Sequence, residues 1–236
     1  MIQVPANDLS GLKYFIFPAK PPRKCEFLEE YNAVYRFWDS LWTRTFAETG
    51  NPDNGWRDHF LRQDVIVALM DGKDVVGAHL YSLYNVHAES TKHSDYFKYV
   101  EEATMRRFNE MDIEIVMTLE YLCVNSKWSK NKQSVSVGAL FVALGARMGE
   151  YLGADCGLGM PIAGTSVDRA GENIGAYTIQ SGIKKFGYDL KLMLVPTTPS
   201  HQSKNEEIRS LVNTLWNSRM DWSGLTLFDE TKNVAA

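Results

Sequence analysis

The segment from Ile113 to Leu152 limits the folds open to this 236-residue chain more than any other. An apolar strand ends at Val124, a loop rich in Ser, Lys and Asn follows, and Gln133-Ser-Val-Ser-Val-Gly138 opens a long helix. Val137, Leu140, Phe141, Leu144, Met148, Tyr151 and Leu152 recur at three- and four-residue spacing, so one face of that helix is apolar and needs a sheet to cover it. Gly153 is a natural stop. A strand feeding a helix N-terminus also presents aligned N–H groups and the positive end of the helix dipole, which attract anionic oxygens without a metal. A phosphate-bearing cofactor is the ligand this favours, although many strand-loop-helix units bind nothing.

The flanking elements narrow the architecture. Leu12 to Phe17 reads as a short strand halted by Pro18 and the Pro21-Pro22 pair. Phe27, Leu28, Tyr31, Val34, Tyr35, Trp38, Leu41, Trp42 and Phe46 then mark a helix with one broad apolar face. Val65 to Met70 and Val75 to Tyr84 flank Asp71-Gly72, a pair suited to a hairpin turn. Ser90 to Met111 predicts an inserted helix beside the sheet. After Gly153 come a strand, Cys156 to Met160, a helix around Asp168 to Gln180, a strand, Tyr188 to Val195, and a helical tail near Glu206 to Met220. A hairpin combined with strand-helix-strand crossovers implies an α/β (α+β) fold with a mixed, mostly antiparallel sheet flanked by helices. We expect one main domain over 1–196, with 197–236 as a helical extension packed on or trailing it.

Composition removes several function classes. The net charge of −4 and the lack of a dense Lys/Arg stripe argue against nucleic-acid binding. No run of about 18 apolar residues exists, and Met1 to Ser10 lacks a secretion signal, so a cytoplasmic protein without a membrane span is expected. Cys25, Cys123 and Cys156 form no close pair, and the five histidines form no ligand motif. Buried free thiols and no metal are expected.

The element order and two motif blocks resemble the GCN5-related N-acetyltransferase (GNAT) superfamily from about Leu12 to Pro196. The first block is Leu122-Cys123-Val124 followed, after the loop Asn125 to Lys132, by Gln133-Ser134-Val135-Ser136-Val137-Gly138. Two departures stand out: Ser136 replaces the first glycine of the family motif, and the loop is longer. The second block is Asn173 and Tyr177, four residues apart on one expected helical face, before Gly182 and Phe186-Gly187. The region Tyr35 to Leu83 is also loosely similar to the branch that makes N-acyl amino acids and acyl-homoserine lactones.

The resemblance implies an N-acyltransferase using acetyl-CoA or a longer acyl-CoA, or in that branch an acyl carrier protein, with a small-molecule amine as acceptor. It implies that Leu122, Cys123 and Val124 hold the acyl-thioester, that Gln133, Ser134, Ser136, Val137, Gly138 and Ala139 hold the pyrophosphate, and that Asn173 contacts the pantetheine arm. Tyr177 would protonate the departing thiolate. A bulge or splay near Leu122 to Val124 would free the N–H donors this needs.

Beside the resemblance, Glu120 is the candidate general base. Two-residue alternation puts it on the face of Leu122 and Val124, and partial burial would raise its pKa usefully. The bland reading is a solvated or ion-paired strand residue. Cys123 lacks an identifiable His partner and reads as an inert thiol. Lys127, Lys130 and Lys132 fit a solvated charge run or steering toward phosphates or an acidic carrier. Trp38, Trp42 and Phe46 read as core before acyl pocket. A degenerate binding or regulatory module, motivated by Ser136 and the long loop, stays open, as does a homodimer.

Overall fold

The computed structural model describes residues 9–50, 56–129, 135–185, 187–197 and 203–225. Strand β1 (Leu12–Pro18) sends Tyr14 and Ile16 to one core and Phe15 and Phe17 to another, so both of its faces are covered. Helix α1 (Leu28–Glu48) and the short α2 (Asp58–Arg62) follow. The hairpin forms as β2 (Val65–Asp71) and β3 (Asp74–Asn85), with Gly72 in the turn at φ 57°.

The single helix expected over Ser90 to Met111 is instead α3 (Glu89–Lys92), a 3-10 turn Phe97–Tyr99 and α4 (Glu102–Glu110). The break has a tertiary cause. Val100 is extended, and Gln180 accepts from the Glu101 N–H at 2.9 Å while donating to the Tyr99 carbonyl at 2.9 Å. These bonds replace those a continuous helix would make.

The remaining elements are β4 (Ile115–Val124), α5 (Ser126–Ser129), α6 (Val137–Tyr151), β5 (Cys156–Gly159) and α7 (Ser166–Asn173). They are followed by β6 (Tyr177–Lys185), β7 (Tyr188–Pro196), α8 (Glu206–Asn217) and β8 (Met220–Asp221). The helix expected to reach Gln180 therefore stops at Asn173. Gly175 at φ 88° donates to the Glu172 carbonyl and Ala176 to that of Gly171, a Schellman closure that turns the chain into β6.

One eight-stranded sheet results, in the order β6-β7-β5-β4-β3-β2-β1-β8. β4 with β5 and β1 with β8 run parallel, and the other neighbours are antiparallel. The expected mixed, mostly antiparallel α/β architecture is what forms. Helices α6, α7 and α8 cover one face through Leu140, Phe141, Ala170 and Leu215. Trp38, Phe46 and Phe60 of α1 and α2 cover the other, continued by Phe97 and Phe108. Gly77 permits the closest approach: a Cβ there would lie 2.6 Å from both the Cys123 carbonyl oxygen and a Phe141 ring carbon.

The tail joins this sheet. The Trp216 ring of α8 lies 6.2 Å from that of Tyr14, and β8 pairs Met220 with Phe15. No helix among the described residues is long and apolar enough to cross a membrane.

Candidate active site

β4 and β5 pair only from Val116–Cys156 to Leu119–Gly159, after which β5 ends while β4 runs on to Val124. Beyond Leu119 the β5-facing edge of β4 therefore has no ladder partner. On its other edge β4 pairs Glu120 with Leu80 and Cys123 with Ala78, so Tyr121 and Leu122 together oppose His79. This is a β-bulge, and Tyr121 within it takes φ 53°. Of the bulge or splay expected near Leu122 to Val124, the bulge is present, and β4 runs on past the end of β5 beside it.

The bulge overturns the face assigned to Glu120. Leu119, Leu122 and Val124 pack toward α6, whereas Tyr121 and Cys123 belong to the α1 core. Glu120 shares the face of Thr118, whose hydroxyl donates to its Oε1 at 2.8 Å. Alternation fails because the extra residue resets the side-chain phase. Glu120 and Leu122 therefore lie on opposite faces.

A positive φ is unusual for a tyrosine, and neighbouring rings brace it. Trp38 and Trp42 of α1 meet Tyr121 edge-on at centroid distances of 5.6 and 5.2 Å, and His59 of α2 lies 5.5 Å away. Trp38 is core, as its spacing suggested. Trp42 and Phe46 also line cavities.

Two cavities open at the splay. One, of about 430 Å³, lies beside the end of β5 between β4, α6 and α7, with His79, Leu122, Val142, Thr165 and Met193 in its wall. The other, of about 200 Å³, contains Phe46, Tyr96, Glu120, Lys185 and Leu190. Trp42, Leu119, Tyr121, Met160 and Ile162 border both, so the cavities meet at the bulge.

The smaller cavity holds two half-buried groups of opposite sign, Glu120 and Lys185. Burial raises the Glu120 carboxyl above its ordinary range, with Thr118, Lys185 and Gln63 pulling partly back. Burial likewise lowers the Lys185 ammonium, which Glu120 partly restores. Each is shifted toward its neutral form.

The start of α6 lies outside the larger cavity, more than one turn before Val142 in its wall. Ser136 is extended and makes no side-chain cap, unlike Thr165 of α7 and Asn205 of α8. Gly138 sits four residues before Val142, about 6 Å along the helix axis. Among the described residues, a Cβ on Gly138 would meet nothing closer than Ser136 Oγ at 3.6 Å. The cavity wall is largely apolar, and an uncapped helix start presents N–H groups of the kind that attract anions. Gln133 and Ser134, with Lys130 and Lys132, lie outside the described residues.

Other expected positions separate. Tyr177 begins β6 on the sheet edge and is 41% exposed, while Asn173 is exposed at the end of α7. They share no helical face, and neither lines the two cavities. Cys123 is buried with its thiol pushed up to about 12, as befits an inert group. Lys185, Tyr121 and His79 were not expected at the site. Lys185 reads as solvated beside Lys184 and Tyr121 as an ordinary strand residue, but a histidine within the apolar run Val75 to Leu83 was a usable signal.

No protein-family model matches the chain, and no curated protein does. Solved structures do. BjaI, a CoA-dependent acyl-homoserine lactone synthase solved with SAM and isopentyl-CoA, is similar with a TM-score of 0.55 and 11% identity, over 89% of this chain and 93% of that one. FeeM, an N-acyl amino acid synthase from uncultured soil microbes, gives 0.56 and 10%, over 82% and 96%. An insect structure assigned as arylalkylamine N-acetyltransferase 7 from the yellow fever mosquito gives 0.57 and 12%, over 82% and 92%. At such identities the likeness establishes the fold, which is that of GNAT-type acyltransferases.

Proposed function

We propose that the chain is an N-acyltransferase that moves an acyl group from acyl-CoA directly to a primary amine of a small molecule or amino acid. The observation that carries this reading is the bulged splay between β4 and β5, where two cavities from opposite sides of the sheet meet at Tyr121. Direct transfer requires such a meeting of donor and acceptor.

Acyl-CoA supplies the activated thioester. The β4 segment Leu122 to Val124 aligns its acyl end, and the first turn of α6 from Ser136 to Ala139 receives its phosphates. Glu120 takes the proton of the attacking amine. Its raised pKa suits that role better than that of a fully solvated carboxylate would. Lys185 balances the charge Glu120 carries when ionised. Tyr177 is not given the acid role, because it lines neither cavity, and the thiolate takes its proton from water.

The test is a melting-temperature series with CoA, acetyl-CoA and octanoyl-CoA, then thiol release across a panel of amines and amino acids. Donor-dependent stabilisation and amine-dependent thiol release are expected. Neither effect at millimolar donor would overturn the reading in favour of a non-catalytic module.

A further inference from the structure

We infer that His79 is a catalytic hydrogen-bond donor, its Nε2–H holding the carbonyl oxygen of the acyl-thioester as that oxygen becomes negative. This rests on the acyl-CoA reading above.

His79 is the β3 residue facing the bulge, opposite Tyr121 and Leu122, where donor and acceptor cavities meet. It is only 3% exposed, yet it lines the larger cavity. The cost of burying an imidazole needs an account. Its Nδ1 lies 3.0 Å from the Tyr81 hydroxyl, with the two rings 4.7 Å apart. We take Tyr81, whose hydroxyl also interacts with that of Tyr14, as the donor to Nδ1, which places the imidazole proton on Nε2. No hydrogen bond of Nε2 is formed among the described residues, and His79 lines the larger cavity, so we place Nε2 toward it.

Burial pushes the imidazole down to about 3, so it is neutral at physiological pH. A neutral imidazole with one fixed N–H neither accepts the amine's proton nor gives its own away. It is suited to stabilising an oxyanion in a site from which water is largely excluded.

The step balances without a proton leaving His79. The amine nitrogen bonds to the thioester carbon while the carbonyl π pair moves to oxygen, where Nε2–H meets it. Glu120 takes one proton from nitrogen. The oxygen lone pair then restores the carbonyl, the C–S bond breaks, and the sulfur leaves with its electrons to be protonated by water. Tyr81 is a positioning residue, acting through the tautomer it enforces.

The experiment uses the full chain with acetyl-CoA and octanoyl-CoA carrying a ¹³C-labelled thioester carbonyl. In the wild type the infrared carbonyl band of the bound donor should move to lower frequency than in solution. In His79→Phe it should return toward the solution value. Thiol release should fall about 10²-fold in kcat with the donor KM within about twofold, as for loss of one oxyanion donor. His79→Asn should recover part of both effects.

Should His79→Phe fail to fold, ¹⁵N NMR of the wild type decides. A neutral ring protonated at Nε2, lost to a tautomer mixture in Tyr81→Phe, supports the role, and protonation at Nδ1 overturns it. Donor binding with an unshifted carbonyl band, or unchanged kcat in His79→Phe, removes this role alone. Absence of any donor binding to the wild type removes the acyl-CoA reading and this role with it.

Discussion

The Trp42 indole meets the ring of Tyr121 edge-on, with centroids 5.2 Å apart and planes at 87°. That contact helps hold Tyr121 at φ 53°, a conformation that costs roughly 1–3 kcal/mol in a residue with a side chain. The strain lies where the two cavities join, so the geometry of the splay depends on α1.

Trp42→Ala should therefore lower stability by about 2–4 kcal/mol, from lost aromatic packing and the void left behind. Urea unfolding should show a lower midpoint with an unchanged m value. Because Trp42 borders both cavities, thiol release should also fall in folded Trp42→Ala protein.

Glu120 ties activity and stability to pH in opposite senses. As a base it must be ionised, so kcat should fall as pH drops through a value above the ordinary carboxylate range, and Glu120→Gln should lose about 10²-fold in kcat. For stability, a folded-state pKa raised above the unfolded one means the folded state prefers the proton. That advantage is fully present below the unfolded pKa and is lost as pH rises through the folded pKa. Glu120→Gln should thus gain stability relative to the wild type as pH rises from 4 toward neutrality, measured by urea midpoints at each pH.

Gly138 is a steric test of the anion site. Among the described residues a Cβ there meets only Ser136 Oγ, so Gly138→Val should fold normally. It should weaken CoA binding about tenfold, equal to ~1.4 kcal/mol, and reduce the CoA-induced rise in melting temperature. An unchanged response would separate the α6 N-terminus from donor binding.

The thiols should divide by burial. Cys123 and Cys156 are buried with pKa values pushed up to about 12, whereas Cys25 is half-buried. Alkylation at pH 8 followed by mass spectrometry should modify Cys25 first and the other two only after unfolding.

Gly77→Ala should destabilise by about 1–3 kcal/mol through overpacking, because one new clash is with backbone. Thermal unfolding of the variant measures this directly.

Local pattern was sufficient for much of the fold. The β2–β3 hairpin followed from apolar runs around Asp71-Gly72, α1 and α6 followed from helical periodicity, and the order of β4, loop and α6 was readable as a strand-loop-helix unit. These elements are specified by residues near one another in the chain, through side-chain period and turn chemistry. The Schellman stop was also written locally, in Asn173-Ile174-Gly175, but the Asn173 and Tyr177 spacing suggested a longer helix and concealed strand β6.

The site itself was decided in three dimensions. Glu120 was identifiable as a carboxylate near the strand end, yet its face depended on one extra residue inserted opposite His79, and the register of β3 against β4 is a property of the pair. Lys185, from β6 at the far edge of the sheet, shares a cavity with Glu120, and the His79 ring meets the Tyr81 hydroxyl in the buried layer. A sequence fixes which side chains alternate along a strand. Where that alternation breaks, and which distant groups then share a cavity, is set by the packing that holds the break in place.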